Sequence, residues 1–225
     1  MTSIYRRALG PNFDRLHPQM QKRLDINSRD GVACVGRGVM NEIWHGPFYV
    51  VPFLYLGSWR RILFPDRASN VPFTIENYAY VDRFDRETVT WNRTFQLKKV
   101  RRFDATFIYS ERRASLVDYL GTHQHLATDL DVTVDDRGGM RLRSGPMRLY
   151  ERFLSLRLPG ALTGSADVRE WYDDALQRFQ IEVNVSSPLF GPLFGYTGWF
   201  VAEWPTCPPG QVPADAKPVR EERRE

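Results

Sequence analysis

The sequence predicts a mainly β protein with minor α content: an antiparallel meander, curled or closed into a barrel of about nine or ten strands. Three observations carry this. From Val71 to Trp204 the chain is a succession of short strand-like segments joined by turns of a few residues. Parallel neighbours need crossovers of roughly a dozen residues, so these turns impose antiparallel pairing. The chain also holds 6 Trp, 10 Tyr and 14 Phe, a load that suits a large β core or an apolar cavity. A meander this long exposes two edges unless it curls round to remove them.

In chain order, residues 5–24 read as helical pieces broken by Pro11 and Pro18, each suited to a first helical turn. Leu9, Phe13, Leu16, Met20 and Leu24 make one apolar stripe, so residues 1–30 are expected to dock on the body. Val32–Trp44 reads as a long strand kinked by glycine. Pro47–Phe64, crowded with Phe, Tyr, Leu and Trp, reads as one or two short helices capping the core. Strand pairs follow at 71–80 with 88–97, 102–110 with 116–120, 126–134 with 140–144, and 165–172 with 179–185. The turn Asp135-Asp-Arg-Gly-Gly139 is the strongest hairpin signal. Ser144, in Arg-Ser-Gly-Pro, reads as another turn. A last strand runs through Gly195–Trp204 and completes a domain at 31–204. A helix-grip sheet around a long C-terminal helix is the rival fold, disfavoured by the prolines, glycines and strand-like end of 186–204. Residues 205–225 hold five prolines and balanced charge, and read as a poorly ordered tail.

Composition narrows the function. The net charge is +4, of which residues 1–30 carry +3, leaving 31–204 nearly neutral. That argues against a nucleic-acid surface, which needs a clustered basic face. Lys98–Lys99, Arg101–Arg102 and Arg112–Arg113 read as solvated loop charge. Cys34 and Cys207 make no disulfide framework, and residues 1–20 lack an apolar signal core. The expectation is a soluble, cytoplasmic protein.

Several constellations bear on chemistry. On a strand over 88–97, Val89, Trp91, Arg93, Phe95 and Leu97 share one face. If that face points inward, a guanidinium lies among aromatic rings and must meet a carboxylate, carbonyls or an anionic ligand. Glu170 and Glu76 are the internal candidates. Gly36-Arg37-Gly38 superficially matches a dinucleotide-binding loop, but Asn41 holds the sixth position and no long helix follows, since Pro47 intervenes, so a strand bulge or bend is the better reading. His123 and His125 share a strand face, yet the opposite face of Leu126, Leu130, Val132 and Val134 claims the core; no metal site is assigned. Asp135–Asp136 and Asp173–Asp174 are turn residues. No nucleophile elbow or Cys–His dyad is present. No cofactor is implied.

The runs Thr90-Trp91-Asn92-Arg93-Thr94-Phe95, Arg178-Phe-Gln-Ile-Glu-Val183 and Gly195-Tyr-Thr-Gly-Trp-Phe200 resemble a bacterial family known as domain of unknown function 4166. Tyr5-Arg-Arg-Ala-Leu-Gly10 and Phe13-Asp-Arg-Leu-His-Pro18 resemble its opening. The likeness covers most of residues 5–204. Some members carry this domain behind a saccharopine-dehydrogenase-like domain. The family has no established activity, so the resemblance transfers no catalytic residue.

The layout of strand, short helical segment and long meander matches that of fatty-acid-binding-type barrels, an analogy of fold alone. The first functional expectation is a non-catalytic binding protein for an apolar, anionic, lipid-like ligand. Arg93 anchors the head, Trp91, Phe95, Phe107, Tyr196 and Trp199 line the wall, and Glu170 stands near. The second is an isomerase or cyclase using the same cavity, with Glu170 or a buried Tyr as acid–base; a strongly raised carboxyl pKa inside the barrel favours it. The third is an interaction module for a separate oxidoreductase, favoured by a filled barrel with an apolar patch outside. Segment 47–64 is also a candidate for peripheral membrane contact. The sequence by itself assigns no reaction.

Overall fold

The computed structural model describes residues 2–160 and 163–225. The chain opens with α1 (Ile4–Leu9), a 3₁₀ turn (Gly10–Arg15) and α2 (Pro18–Leu24). Ser3 caps α1, its Oγ accepting from Arg6 N, and Pro18 occupies the first turn of α2. Strand β1 (Cys34–His45) leads into a 3₁₀ turn (Phe48–Val50) and α3 (Val51–Trp59). Then come β2 (Ala68–Asn77), β3 (Ala79–Val81), β4 (Glu87–Phe95), β5 (Arg101–Ser110), β6 (Ser115–Leu120) and β7 (Leu126–Val134). The series ends with β8 (Met140–Glu151), β9 (Leu154–Arg157), β10 (Ser165–Asp173), β11 (Arg178–Ser187) and β12 (Gly191–Glu203).

Ten of these strands close into an antiparallel barrel in the order β1-β2-β4-β5-β6-β7-β8-β10-β11-β12, with β12 returning to β1. Strand β3 extends the β2 side of β4, and β9 is a hairpin arm on the far half of β8. The first strand pairs on both sides, with β12 and with β2. Gly36 permits this geometry: a Cβ there would lie 2.4 Å from the Phe200 ring and 2.7 Å from Ile75. The glycines of β1 thus serve close packing, and the strand shifts register between Met40 and Glu42.

Alternation sorts the side chains. In β11, Phe179, Ile181, Val183 and Val185 are buried while Gln180, Glu182 and Asn184 sit on the outer surface. An apolar inside with a polar outside is the reverse of a lipid-facing barrel. Among the described residues, no helix is long and apolar enough to cross a membrane.

The helices of 4–24 stopper one end. His17 N donates to Gly138 O at 3.0 Å, Arg7 pairs with Glu111, and α2 inserts Met20, Arg23 and Leu24 into the mouth. The other end is crossed by α3 and its flanks, with Phe64 wedged between Phe95 and Phe194 at centroid distances of 4.9 and 4.8 Å.

Two segments differ from expectation. Ser144 lies inside β8, which runs on to Glu151 through a bulge opposite Thr128 and Leu130. Gly145 and Pro146 carry a turn signature that the strand absorbs as this irregularity. The tail, expected to be poorly ordered, lies packed along the outer face of the barrel. Ala33 N donates to Pro205 O, Asn92 Nδ2 to Ala216 O, and Tyr119 Oη to Arg224 O. Proline removes backbone donors but leaves carbonyls, and side chains of β4 and β6 donate to the tail's carbonyls. Beneath and beside it lies a second apolar cluster of Ile108, Val117, Tyr119, Ala127 and Tyr150.

Candidate functional site

Strand β4 is buried on both faces, and its inward face carries Val89, Trp91, Arg93 and Phe95 into the barrel. Arg93 is 3% exposed. Its Nε donates to Phe103 O at 3.1 Å and its Nη1 to Tyr196 Oη at 3.3 Å. The guanidinium lies over the Phe103 ring, 3.7 Å from the centroid. Among the described residues, no carboxylate comes within ion-pairing distance of it.

Facing it from β6 is Asp118. Trp91, Arg93, Phe103, Phe107 and Asp118 line an interior cavity of about 40 Å³, completed by aliphatic side chains that include Leu142, Ala166 and Val168. Oδ1 of Asp118 is buried without a hydrogen-bond partner. Burial pushes this carboxyl up to about 7, against the opposing pull of the Arg93 charge. Burial likewise raises the Tyr196 phenol, although Arg93 works against it. The site therefore joins a permanent cation, a carboxyl that titrates near neutrality and a phenol, within aromatic walls. The volume holds a few waters or a single carboxylate-sized group.

Glu170 lies elsewhere, which corrects the expected pairing with Arg93. It is fully buried on β10 and forms a two-pronged ion pair with Arg23 of α2. Arg23 also donates to Asn77 Oδ1 and to Cys34 Sγ, and its guanidinium sits 4.9 Å from the Phe200 centroid. This group belongs to the plugged mouth. Glu76 is instead engaged by Tyr78 Oη at 3.2 Å. Trp199 is the second correction: it faces outward, half-buried, under the Arg178 guanidinium at 4.3 Å. Residues 196 and 199 are an odd number apart, so a regular strand cannot turn both inward, and Tyr196 holds the inner face. Phe95 and Tyr196 pack behind Arg93, with rings 5.2 Å apart, while Trp91 and Phe107 touch the cavity itself.

Asp118 went unread in the sequence because Leu-Val-Asp-Tyr-Leu looks like any strand with one polar position. Its signal was alternation: Leu116, Asp118 and Leu120 share a face. Arg23 had a similar mark, three residues after Met20 and beside Leu24 on the apolar stripe. The rings of His123 and His125 stack at 5.5 Å in the β6–β7 connection, with His125 Nδ1 2.8 Å from Glu151 Oε2.

Comparison with known proteins agrees with the residue pattern. No solved structure matches. An uncharacterised protein of Bacillus subtilis (strain 168), YndH, is 35% identical over 204 residues, covering 90% of this chain and 98% of its own. The family described as domain of unknown function (DUF4166) matches residues 16–200, spanning both the α2 plug and the barrel, and the chain belongs to that family.

Proposed function

We propose that this barrel is a binding protein for an apolar ligand with an anionic head, held between Arg93 and Asp118. One observation carries the reading. Among the described residues, a buried guanidinium without a carboxylate partner faces a partnerless carboxyl oxygen across an apolar cavity. An unpaired interior charge costs several kcal/mol, roughly, so a carboxylate or phosphate oxygen at that point is strongly favoured. While protonated, Asp118 donates to the bound anion; once ionised it repels the anion and competes for Arg93. The 40 Å³ of the closed interior admit the head alone. A chain needs several hundred Å³, approximately, and hence an opened wall.

The test uses cis-parinaric acid as a fluorescent probe. Saturable uptake is expected near pH 6, weakening as pH rises through about 7. Arg93→Met should weaken uptake by about tenfold or more, as loss of a charged hydrogen bond implies. Asp118→Asn should flatten the pH profile. Absence of saturable uptake, or an Arg93→Met protein that binds as the wild type does, overturns the reading. The near-neutral carboxyl also favours a second reading, acid–base chemistry on the same ligand with Asp118 in the role expected of Glu170. A product formed by the wild type and lost in Asp118→Asn separates the two.

A further inference from the structure

The two ends of the barrel differ in kind. At the end crossed by α3 lie the connections 46–67, 96–100, 121–125 and 188–190, together with the β8–β9 hairpin tip and the described residues 158–160 that follow β9. Most of the large exposed apolar side chains gather here. Phe48, Phe53 and Trp59 are 85%, 66% and 74% exposed, and Phe153, at the tip of the β8–β9 hairpin, is 94% exposed. Helix α3 carries no charge from Val51 to Trp59, and only Leu54 on it is buried. Tyr49 and Phe53 lean on Phe190 of the β11–β12 turn at 6.5 and 6.2 Å, fusing two connections into one apolar surface. The end of α3 is tied to the β6–β7 connection through Thr122 N donating to Arg60 O at 3.0 Å. That connection reaches the hairpin arm through Tyr150 N donating to His125 O.

Charge follows the same division. The connections at the α3 end carry Arg60, Arg61, Arg67, Lys98 and Lys99, with Arg152 and Arg157 on the hairpin. The acids among them are Asp66, paired with Arg101, and Glu151 on the hairpin, paired with His125, while Arg61 reaches Asp104 of β5; the basic side chains remain in excess. At the plugged end acids and bases mix, as in Asp82, Arg83, Asp85 and Arg86.

We infer that the α3 end docks on an anionic lipid bilayer, with Phe48, Phe53, Trp59 and Phe153 entering the headgroup region and the Lys and Arg side chains meeting the lipid phosphates. Aromatic side chains ringed by basic ones are the combination an anionic interface attracts. A second copy of the chain fits less well, because a symmetric contact sets the basic ring against itself. The inference is independent of what the interior binds.

Co-sedimentation with vesicles tests it, using phosphatidylcholine alone and a mixture with phosphatidylserine, at low and at high salt. The wild type should bind the mixed vesicles, release at high salt, and largely ignore phosphatidylcholine. Phe53→Ser/Trp59→Ser and Lys98→Glu/Lys99→Glu should each weaken binding by at least about tenfold. All four side chains lie at the surface, and circular dichroism checks that both variants stay folded. Arg93→Met should bind vesicles like the wild type, which separates this inference from the ligand reading. No binding to anionic vesicles, or binding that neither pair affects, overturns it. So does a concentration-dependent dimer that Phe53→Ser/Trp59→Ser abolishes, which would make a second copy the occupant.

Discussion

Among the described residues, Arg23 and Glu170 are the most thoroughly buried ion pair, at 1% and 0% side-chain exposure. Burial acts against the Arg23 charge, and the Glu170 carboxylate, together with the Cys34 sulfur, more than restores it. Removing one partner leaves the other unpaired in the interior; removing both leaves Asn77 Oδ1 without its Arg23 donor but no unpaired partner of the ion pair. Arg23→Met and Glu170→Met should each destabilise the fold by about 3–5 kcal/mol, while the double variant lies within about 2 kcal/mol of the wild type. The double does not recover fully because Asn77 Oδ1 loses its donor. Urea unfolding measures all three, and single and double losses that simply add would show that the pair is not coupled. At this scale the sequence was half legible. Alternation places Arg93 among Trp91 and Phe95 on an inward face, but it does not say which carboxylate on a distant strand lies opposite. Register around a closed barrel decides that, and it puts Asp118, not Glu170, across from Arg93.

Among the elements, the tail departs furthest from its composition. Balanced charge and five prolines read as a solvated end, yet its charges find partners within the tail and on the barrel. Glu222 accepts from Arg220 and from Arg224, its backbone N donates to Gln124 Oε1, and Tyr119 donates to Arg224 O. The sign of this docking was present in the strands: Thr88, Thr90 and Asn92 on the outer face of β4, and Val117 and Tyr119 on β6, are buried and need a cover. Deleting residues 213–225 should lower the melting temperature by at least about 5 °C, because each kcal/mol corresponds to roughly 2–4 °C at this size. The Arg224 and Arg220 guanidiniums hold the Glu222 carboxyl down to about 2, against the push of burial. A depressed folded pKa gives stability that is present above the unfolded value, near 4.5, and is lost as pH falls through about 2. The truncated protein should therefore also lose less stability on acidification than the full chain. An unchanged melting temperature and an unchanged acid limb would mean that the strap contributes nothing.

Closing a meander into a barrel removes its edges, but the closure need not be equally strong all the way round. β1 and β12 run together from Val35 opposite Glu203 to His45 opposite Phe194. The seam between β8 and β10 holds through four residue pairs only, Met140–Arg143 against Asp167–Glu170. Past that point Ser144 makes the last contacts, its Oγ accepting from Ala166 N and its carbonyl accepting from Ser165 Oγ. Then β8 bends through Gly145 and Pro146 and gives its far half to β9 instead. The interior cavity lies directly behind this seam, since Leu142 and Val168 belong to both and Ala166, bonded to Ser144 Oγ, flanks it. A short ladder flanked by a bulge opens at lower free energy than a long continuous one. If the barrel takes the proposed ligand, this seam is the expected way to Arg93, because opening it displaces neither the α2 plug nor the α3 cap. Strand β10 carries its own control, because its other side is paired along its whole length with β11. Amides of β10 that point at β8 should exchange with solvent deuterium at least about tenfold faster than those pointing at β11. Binding of cis-parinaric acid should narrow the gap by holding the wall shut. Equal protection on the two sides of β10 would place the opening elsewhere and leave the sealed interior without a door at this seam.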